Sequence, residues 1–169
     1  RDYDVDGLIT NERGLPLVIH SADCIPVLLH DPVKQVIGAC HAGWRGTALG
    51  IAAKTARRMA EVYGTDPADL HCAIGPGISR CCFETRADVP EAVRAALGDA
   101  AADFVDNHGD GSFHVDLKGI NRWWLRSVGV PPEQIEVCTA CTACDLNTFF
   151  SHRRMGTARG ALAAIIELT

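Results

Sequence analysis

Short apolar runs recur along this chain and read as strands. They cover Val5 to Thr10, Pro16 to His20, Cys24 to His30, Val36 to His41, His71 to Ile74 and Gln134 to Cys138, and Gly160 to Leu168 closes the set. Between them lies a different period. Leu49, Ala52, Ala53, Ala56, Met59, Ala60 and Tyr63 recur at helical spacing from Thr47 to Tyr63, with Lys54, Arg57, Arg58 and Glu61 on the opposite face. Gly64 is placed to end that helix in a left-handed conformation. Pro90 suits the first turn of a second helix running through Leu97. A third, from Asp116 to about Val128, carries Leu117, Ile120, Trp124 and Leu125 and stops at Gly129, before Pro131 and Pro132. Polar stretches fall where turns are needed, at Asn11 to Gly14, Asp31 to Gln35 and Asp106 to Gly111. The last has a faint look of a calcium loop, but Leu117 stands where the bidentate Glu is required. This order of elements predicts an α+β fold, mixed β-sheets with flanking helices, rather than strict βαβ alternation.

The runs 24–30 and 36–41 are separated only by turn material and predict a hairpin. In its tightest form Asp31 faces Lys34, and Cys24 then falls directly opposite His41. Directly opposed side chains share a face with Cβ atoms ~4.5–5.5 Å apart, close enough for a thiolate and an imidazole to share an ion or act on one another. One bulge in the turn would send them to opposite faces. Taken singly, Cys24 reads as an apolar filler and His41 as a hydrogen-bonded core residue; their pairing is what suggests a site. His41 also opens the stretch His41-Ala-Gly-Trp-Arg-Gly46, which adds Arg45 at a helix start. The positive end of a helix dipole is a poor place for a structural arginine. Beside Gly43, Gly46 and free backbone N–H groups, it suits an anion such as phosphate.

Composition narrows the classes. At 169 residues, 47% of them hydrophobic, the chain supports one domain with a real core. A net charge of -5 and the absence of a basic cluster argue against a nucleic-acid partner. The longest apolar run near the C-terminus, ALAAII, falls far short of the ~18 residues that cross a bilayer, so no membrane is expected and the cytoplasm is. A homo-oligomer is compatible with this composition. The opening, Arg1-Asp-Tyr-Asp-Val-Asp-Gly7, has no initiator Met and runs at once into a strand, as a piece of a longer chain would.

Eight cysteines, set in apolar strands or as the pair Cys81-Cys82, fit reduced thiols in the cytosol better than a disulfide scaffold. Cys138, Cys141 and Cys144 have the spacing of metal-binding thiolates, but a fourth ligand from Cys72, Cys81 or Cys82 would have to be delivered by the fold. The expectation is a structural or redox-inert loop. Ser151-His-Arg-Arg154 offers a hydroxyl, an imidazole and two guanidiniums to an anionic group. Neither a phosphate loop G-x-x-x-x-G-K-[ST] nor a G-x-G-x-x-G fingerprint is found, and the H-x-E of zinc deaminases fails at Gly43.

Ala22-Asp-Cys24 with Pro26-Val27, His41 to Gly46, Gly75-Pro-Gly-Ile78 with Cys82-Phe-Glu84, Val115-Asp-Leu117 with Asn121, and Cys138-Thr139 leading to Phe149-Phe-Ser-His-Arg-Arg154 together resemble the laccase-domain family. That family carries the labels polyphenol oxidase and peptidoglycan editing factor and is now regarded as one of purine nucleoside phosphorylases. The resemblance covers essentially the whole chain, in order. It implies a laccase-domain or cysteine-hydrolase-like fold and a zinc site made by Cys24 and His41. The family's third ligand is a His in an upstream segment outside these residues, so the chain is expected to be a single laccase-like domain lacking the N-terminal part.

The implied activity is phosphorolysis of adenosine, inosine or guanosine to the free base and ribose 1-phosphate, with adenosine deamination as a companion. Arg45, and beyond it His152 and Arg153, are the candidates for holding phosphate, and Asp23 and Glu84 for acid/base work. Three rivals stand beside this reading. A metal-free hydrolase or deamidase would use Cys24 as nucleophile and His41 as base. A copper-dependent polyphenol oxidase would need more than one His–Cys pair. The domain could also serve only to bind a partner.

Overall fold

The computed structural model describes residues 5–169. The opening Arg1 to Asp4, part of the segment read as a fragment's beginning, lies outside the described residues. Strands β1 (Gly7–Thr10), β2 (Leu17–Ser21), β3 (Ile25–Asp31) and β4 (Val36–Ala42) come first. They are followed by helices α1 (Trp44–Ala48) and α2 (Ile51–Tyr63) and by strands β5 (His71–Ile74) and β6 (Glu84–Thr85). Helix α3 (Asp88–Leu97), strands β7 (Val105–Asn107) and β8 (Phe113–Val115), helix α4 (Leu117–Ser127) and strand β9 (Ile135–Val137) lead to α5 (His152–Met155) and β10 (Leu162–Ile166). The fold is α+β, as the pattern of apolar positions predicts.

The main sheet runs β1-β4-β3-β5-β9, antiparallel except for the β5/β9 pair. Its central strands are apolar on both faces because both are covered. On one side Ile25, Val27, Leu29 and Cys40 meet Ala52, Ala56 and Met59 of α2 and Leu117, Ile120 and Leu125 of α4. On the other, Ile37 and Ala39 meet Leu17 and Ile19 of β2. Strand β2 does not pair with β1, its neighbour in sequence; it forms a separate ribbon with β10. A small third sheet, β6-β8-β7, has strands too short to stand out in the sequence; of the stretch read as a polar loop, Asp106 and Asn107 belong to β7 and the rest to the β7/β8 connection.

The helix read from Thr47 to Tyr63 is broken in two. Gly50 adopts φ +72°, and a Cβ there would lie 3.1 Å from the Trp124 ring, so helix α1 stops and α2 begins afresh against α4. Leu49, counted on the buried face, is consequently 66% exposed. Helix α1 is fixed from α4, where Asn121 Nδ2 donates to Thr47 Oγ1 at 3.0 Å and Trp124 Nε1 donates to the Thr47 carbonyl at 2.9 Å. Asp116 caps α4 by accepting from the Gly119 N–H at 2.9 Å.

Candidate active site

The β3/β4 turn is wider than the tightest hairpin. Asp31 Oδ1 accepts from the N–H groups of Val33 and Lys34, both at 2.9 Å, and this Asx turn sets Asp31 opposite Val36. His41 therefore faces Pro26 instead of Cys24. The displacement is two residues, and because strand side chains alternate, an even slip keeps Cys24 and His41 on one face. A Cβ placed on Gly43 would lie 3.3 Å from Cys24 Sγ and 3.6 Å from His41 Cε1, so the two side chains flank one point over Gly43.

Asp6, just before β1, completes this corner and was invisible to motif reading. Its Oδ1 lies 3.1 Å from His41 Nδ1, and its carbonyl accepts from the His41 N–H at 2.8 Å. Strand β1 brings it there by pairing with β4. His41 is raised to about 9; the Cys24 sulfur is the largest cause, burial opposes it, and the Asp6 carboxylate adds to the rise. An imidazole whose Nδ1 is oriented by a carboxylate is the usual arrangement of a metal-binding or catalytic histidine.

Cys24 borders an open cleft of about 280 Å³, lined also by Trp44, Ile78, Phe83, Leu117 and the cationic side chains of Arg153 and Arg159. That is just under the ~300–1,000 Å³ of small-ligand sites. His152 lines the same cleft, and its Nδ1 accepts from Arg159 Nε at 3.3 Å. Arg153 lies over the Phe83 ring, 5.5 Å from its centroid, and donates to the carbonyls of Cys82 and Glu84 at 3.2 and 2.9 Å. The fold thus gathers Cys24, His152 and Arg153 around one space. It does not bring Arg45 there: the guanidinium stacks 4.1 Å from the Trp44 ring and lines a separate apolar groove with Leu49 and Ala92. Glu84 is exposed on β6, outside the residues lining the cleft.

Asp23 is 8% exposed at φ 83°, a left-handed position that Asp tolerates better than most residues. Its carboxylate accepts from Thr142 Oγ1 at 2.6 Å, Ser151 Oγ at 3.0 Å and the Arg153 N–H at 2.6 Å. Those bonds tie the Ala22-Asp-Cys24 turn to the Ser151-His-Arg-Arg154 segment. Asp23 is committed to positioning.

Burial pushes the Cys40 and Cys72 thiols up to about 12, as expected for inert core cysteines. Elsewhere, the fold does deliver cysteines to the C-terminal triplet. Cys81, Cys82, Cys141 and Cys144 converge with all four sulfurs within 4.8 Å of one another, a set that could hold a metal. Cys138 is not among them. The sequence signal was Cys81-Cys82, whose partners lie some sixty residues away. Burial works against the Cys141 thiolate, but N–H donors from Ser79, Ala143 and Cys144 bring it down to about 7. Cys144, hydrogen-bonded to Cys82, Cys81 and Cys141, is pushed up to about 12. Four thiols this close do not all ionise without a cation. Among the described residues no third Cys, His or carboxylate joins Cys24 and His41 in a comparable group. Of the residues that could have done so, Cys82 belongs to the four-cysteine cluster and His20 sits exposed on the β2/β10 ribbon.

The model of the family described as multi-copper polyphenol oxidoreductase laccase matches residues 1–169. A Bacillus subtilis protein named purine nucleoside phosphorylase YlmD is 37% identical over 164 residues, covering 96% of this chain and 58% of its own length. A protein from an unknown prokaryotic organism, named adenosine deaminase RL5, is 35% identical over 156 residues, covering 92% of this chain and 59% of its own. The crystal structure of Bacillus licheniformis hypothetical protein YfiH superposes with a TM-score of 0.94 at 38% identity, over 97% of this chain and 61% of that one. The chain thus spans about three fifths of the length of these relatives.

Proposed function

This chain belongs to the family described as multi-copper polyphenol oxidoreductase laccase, and from that premise we propose that it forms the active site of a zinc-dependent purine nucleoside phosphorylase. Its substrates are adenosine, inosine or guanosine with phosphate, and its products the free base and ribose 1-phosphate. The names of relatives such as YlmD support the reaction, and that of RL5 supports adenosine deamination as a companion. The observation that carries the reading is Cys24 beside a carboxylate-oriented His41, at the edge of a cleft whose lining combines aromatic and cationic side chains.

In phosphorolysis a phosphate oxygen forms a bond to the ribose C1′ as the N-glycosidic bond breaks. The electron pair passes to the base nitrogen, which takes up a proton. Trp44 and Phe83 in the cleft lining would give the purine aromatic contact, and His152, Arg153 and Arg159 would offer positive charge to the phosphate. Cys24 and His41 would hold the metal; one thiolate and one imidazole suit zinc and fall short of a multicopper centre. When bound, zinc supplies a Lewis acid that polarises a substrate oxygen or lowers the pKa of water to ~7. Catalytic zinc takes about three protein ligands, so a third donor is proposed from outside the described residues.

The full-length protein and its Cys24→Ser and His41→Ala variants, given inosine and phosphate, test this by release of hypoxanthine. Loss of at least ~100-fold in rate is expected in both variants, with loss of one metal equivalent in Cys24→Ser. The Cys24, His41, Asp6 sequence of groups also favours a second reading, a metal-free hydrolase with Cys24 as nucleophile. An active enzyme free of metal and inactivated by alkylation of Cys24 would select that reading.

A further inference from the structure

We propose that Cys81, Cys82, Cys141 and Cys144 form a second, structural zinc site, distinct from Cys24 and His41, that clamps the two turns framing the substrate cleft. Zinc bound by four thiolates at ~2.3 Å sets its sulfurs at the corners of a tetrahedron with edges of roughly 3.8 Å. The observed separations are 3.9 Å for Cys81–Cys82, 3.7 Å for Cys81–Cys144 and 3.4 Å for Cys82–Cys144. A disulfide would need ~2.05 Å between one pair and would leave the other two thiols without a role.

The backbone around the sulfurs is built as a clamp. Cys82 lies in a turn closed by its own N–H to the Ser79 carbonyl at 2.9 Å, and Cys144 in one closed onto the Cys141 carbonyl at 3.1 Å. A parallel bridge between Gly77 and Cys141 lays the two turns side by side. The Ser79 N–H donates to Cys141 Sγ at 3.3 Å, the N–H···S bond that steadies a thiolate ligand. Cys141 is buried while Cys81 and Cys144 are exposed, which leaves the ion a way in.

A second observation asks independently for negative charge here. Lys118 is only 5% exposed, yet among the described residues it makes no ion pair with a carboxylate. Its ammonium is held by Ser79 Oγ at 3.0 Å and by the carbonyls of Cys138 and Ala140 at 2.9 and 2.6 Å, partners that adjoin the two cluster turns. Arg154 Nη2 approaches Cys82 Sγ at 3.7 Å. A buried lysine without an anion is costly. One zinc with four thiolates carries a net charge of minus two, which Lys118 and Arg154 match.

The site has a consequence for the cleft. Thr142, which holds Asp23, lies inside the Cys141–Cys144 turn, and Arg153 of the cleft lining donates to the Cys82 carbonyl. Zinc release would loosen both without touching Cys24.

The test is metal analysis of the full-length protein, purified under reducing conditions, as wild type, Cys144→Ser, Cys81→Ser and Cys24→Ser. Cys144 and Cys81 are exposed, so their loss leaves the core intact. Each cluster variant is expected to lose one zinc equivalent that Cys24→Ser retains. Cobalt substituted into Cys24→Ser is expected to give the thiolate charge-transfer and strong d–d bands of a tetrahedral four-sulfur site, and Cys144→Ser to weaken them. Should a variant fail to fold, added zinc is expected to protect Cys81, Cys82 and Cys144 of the reduced wild type from alkylation. Zinc content unchanged in the cluster variants, unprotected thiols, or a metal-free Cys82–Cys144 disulfide in the reduced preparation would each overturn the proposal.

Discussion

His41 takes its character from two neighbours, and both are testable at the level of one proton. In the metal-free protein its ring is expected to titrate near 9 by proton NMR, against an ordinary 6.5. Asp6→Asn is expected to lower that midpoint without restoring 6.5, because Cys24 is the larger cause and stays in place. A folded-state pKa above the unfolded one means the protonated form is the stabilised one. The contribution is therefore complete below about 6.5 and disappears as the pH rises through about 9. Metal needs the neutral imidazole, so uptake at this pair releases a proton and tightens as the pH rises. Asp23 is the other residue whose role can be isolated. Asn fits its left-handed backbone but removes the charge that three donors share. Asp23→Asn is expected to cost about 2–3 kcal/mol in urea unfolding and to lower turnover with little change in metal content. Unchanged stability would remove Asp23 from its positioning role.

At the scale of elements, β3 and β4 explain what could be read in advance and what could not. Their apolar runs and the turn between them mark the hairpin and put Cys24 and His41 on one face, because a two-residue slip conserves parity. The register itself was decided by the Asp31 side chain capping the turn, a choice that periodicity does not encode. Helix α1 was hidden for a similar reason. The apolar spacing runs on through Leu49 and Gly50, and only the approach of Trp124 makes the left-handed Gly50 necessary. Gly50→Ala is accordingly expected to destabilise by about 1–3 kcal/mol, strain and ring contact together, measured as a fall in the urea midpoint. A neutral result would mean the break between α1 and α2 is not held by that contact. Gly77 makes a comparable close approach at the site, where a Cβ would lie 2.9 Å from the Asp23 carbonyl oxygen.

Across the whole molecule, long-range pairing separates the legible part from the rest. The local motifs around Cys24, His41, His152 and Arg153 were readable because each carries its chemistry within a few residues, and the cleft gathers most of them. Asp6 reaches His41 through β1/β4 pairing, and Cys81-Cys82 meets Cys141 and Cys144 through the Gly77 bridge. Such meetings depend on topology rather than on spacing, which is why the partners of the loop expected to be structural or redox-inert were not legible, and why Arg45, expected at phosphate, lies over Trp44. No helix among the described residues is long and apolar enough to cross a membrane. The most direct measurement is of phosphate dependence: the full-length protein is incubated with inosine, with and without inorganic phosphate, and the sugar product is identified. Ribose 1-phosphate formed in step with hypoxanthine, only when phosphate is present and not by Cys24→Ser, is the predicted result. Free ribose, or base release indifferent to phosphate, would contradict phosphorolysis at this site.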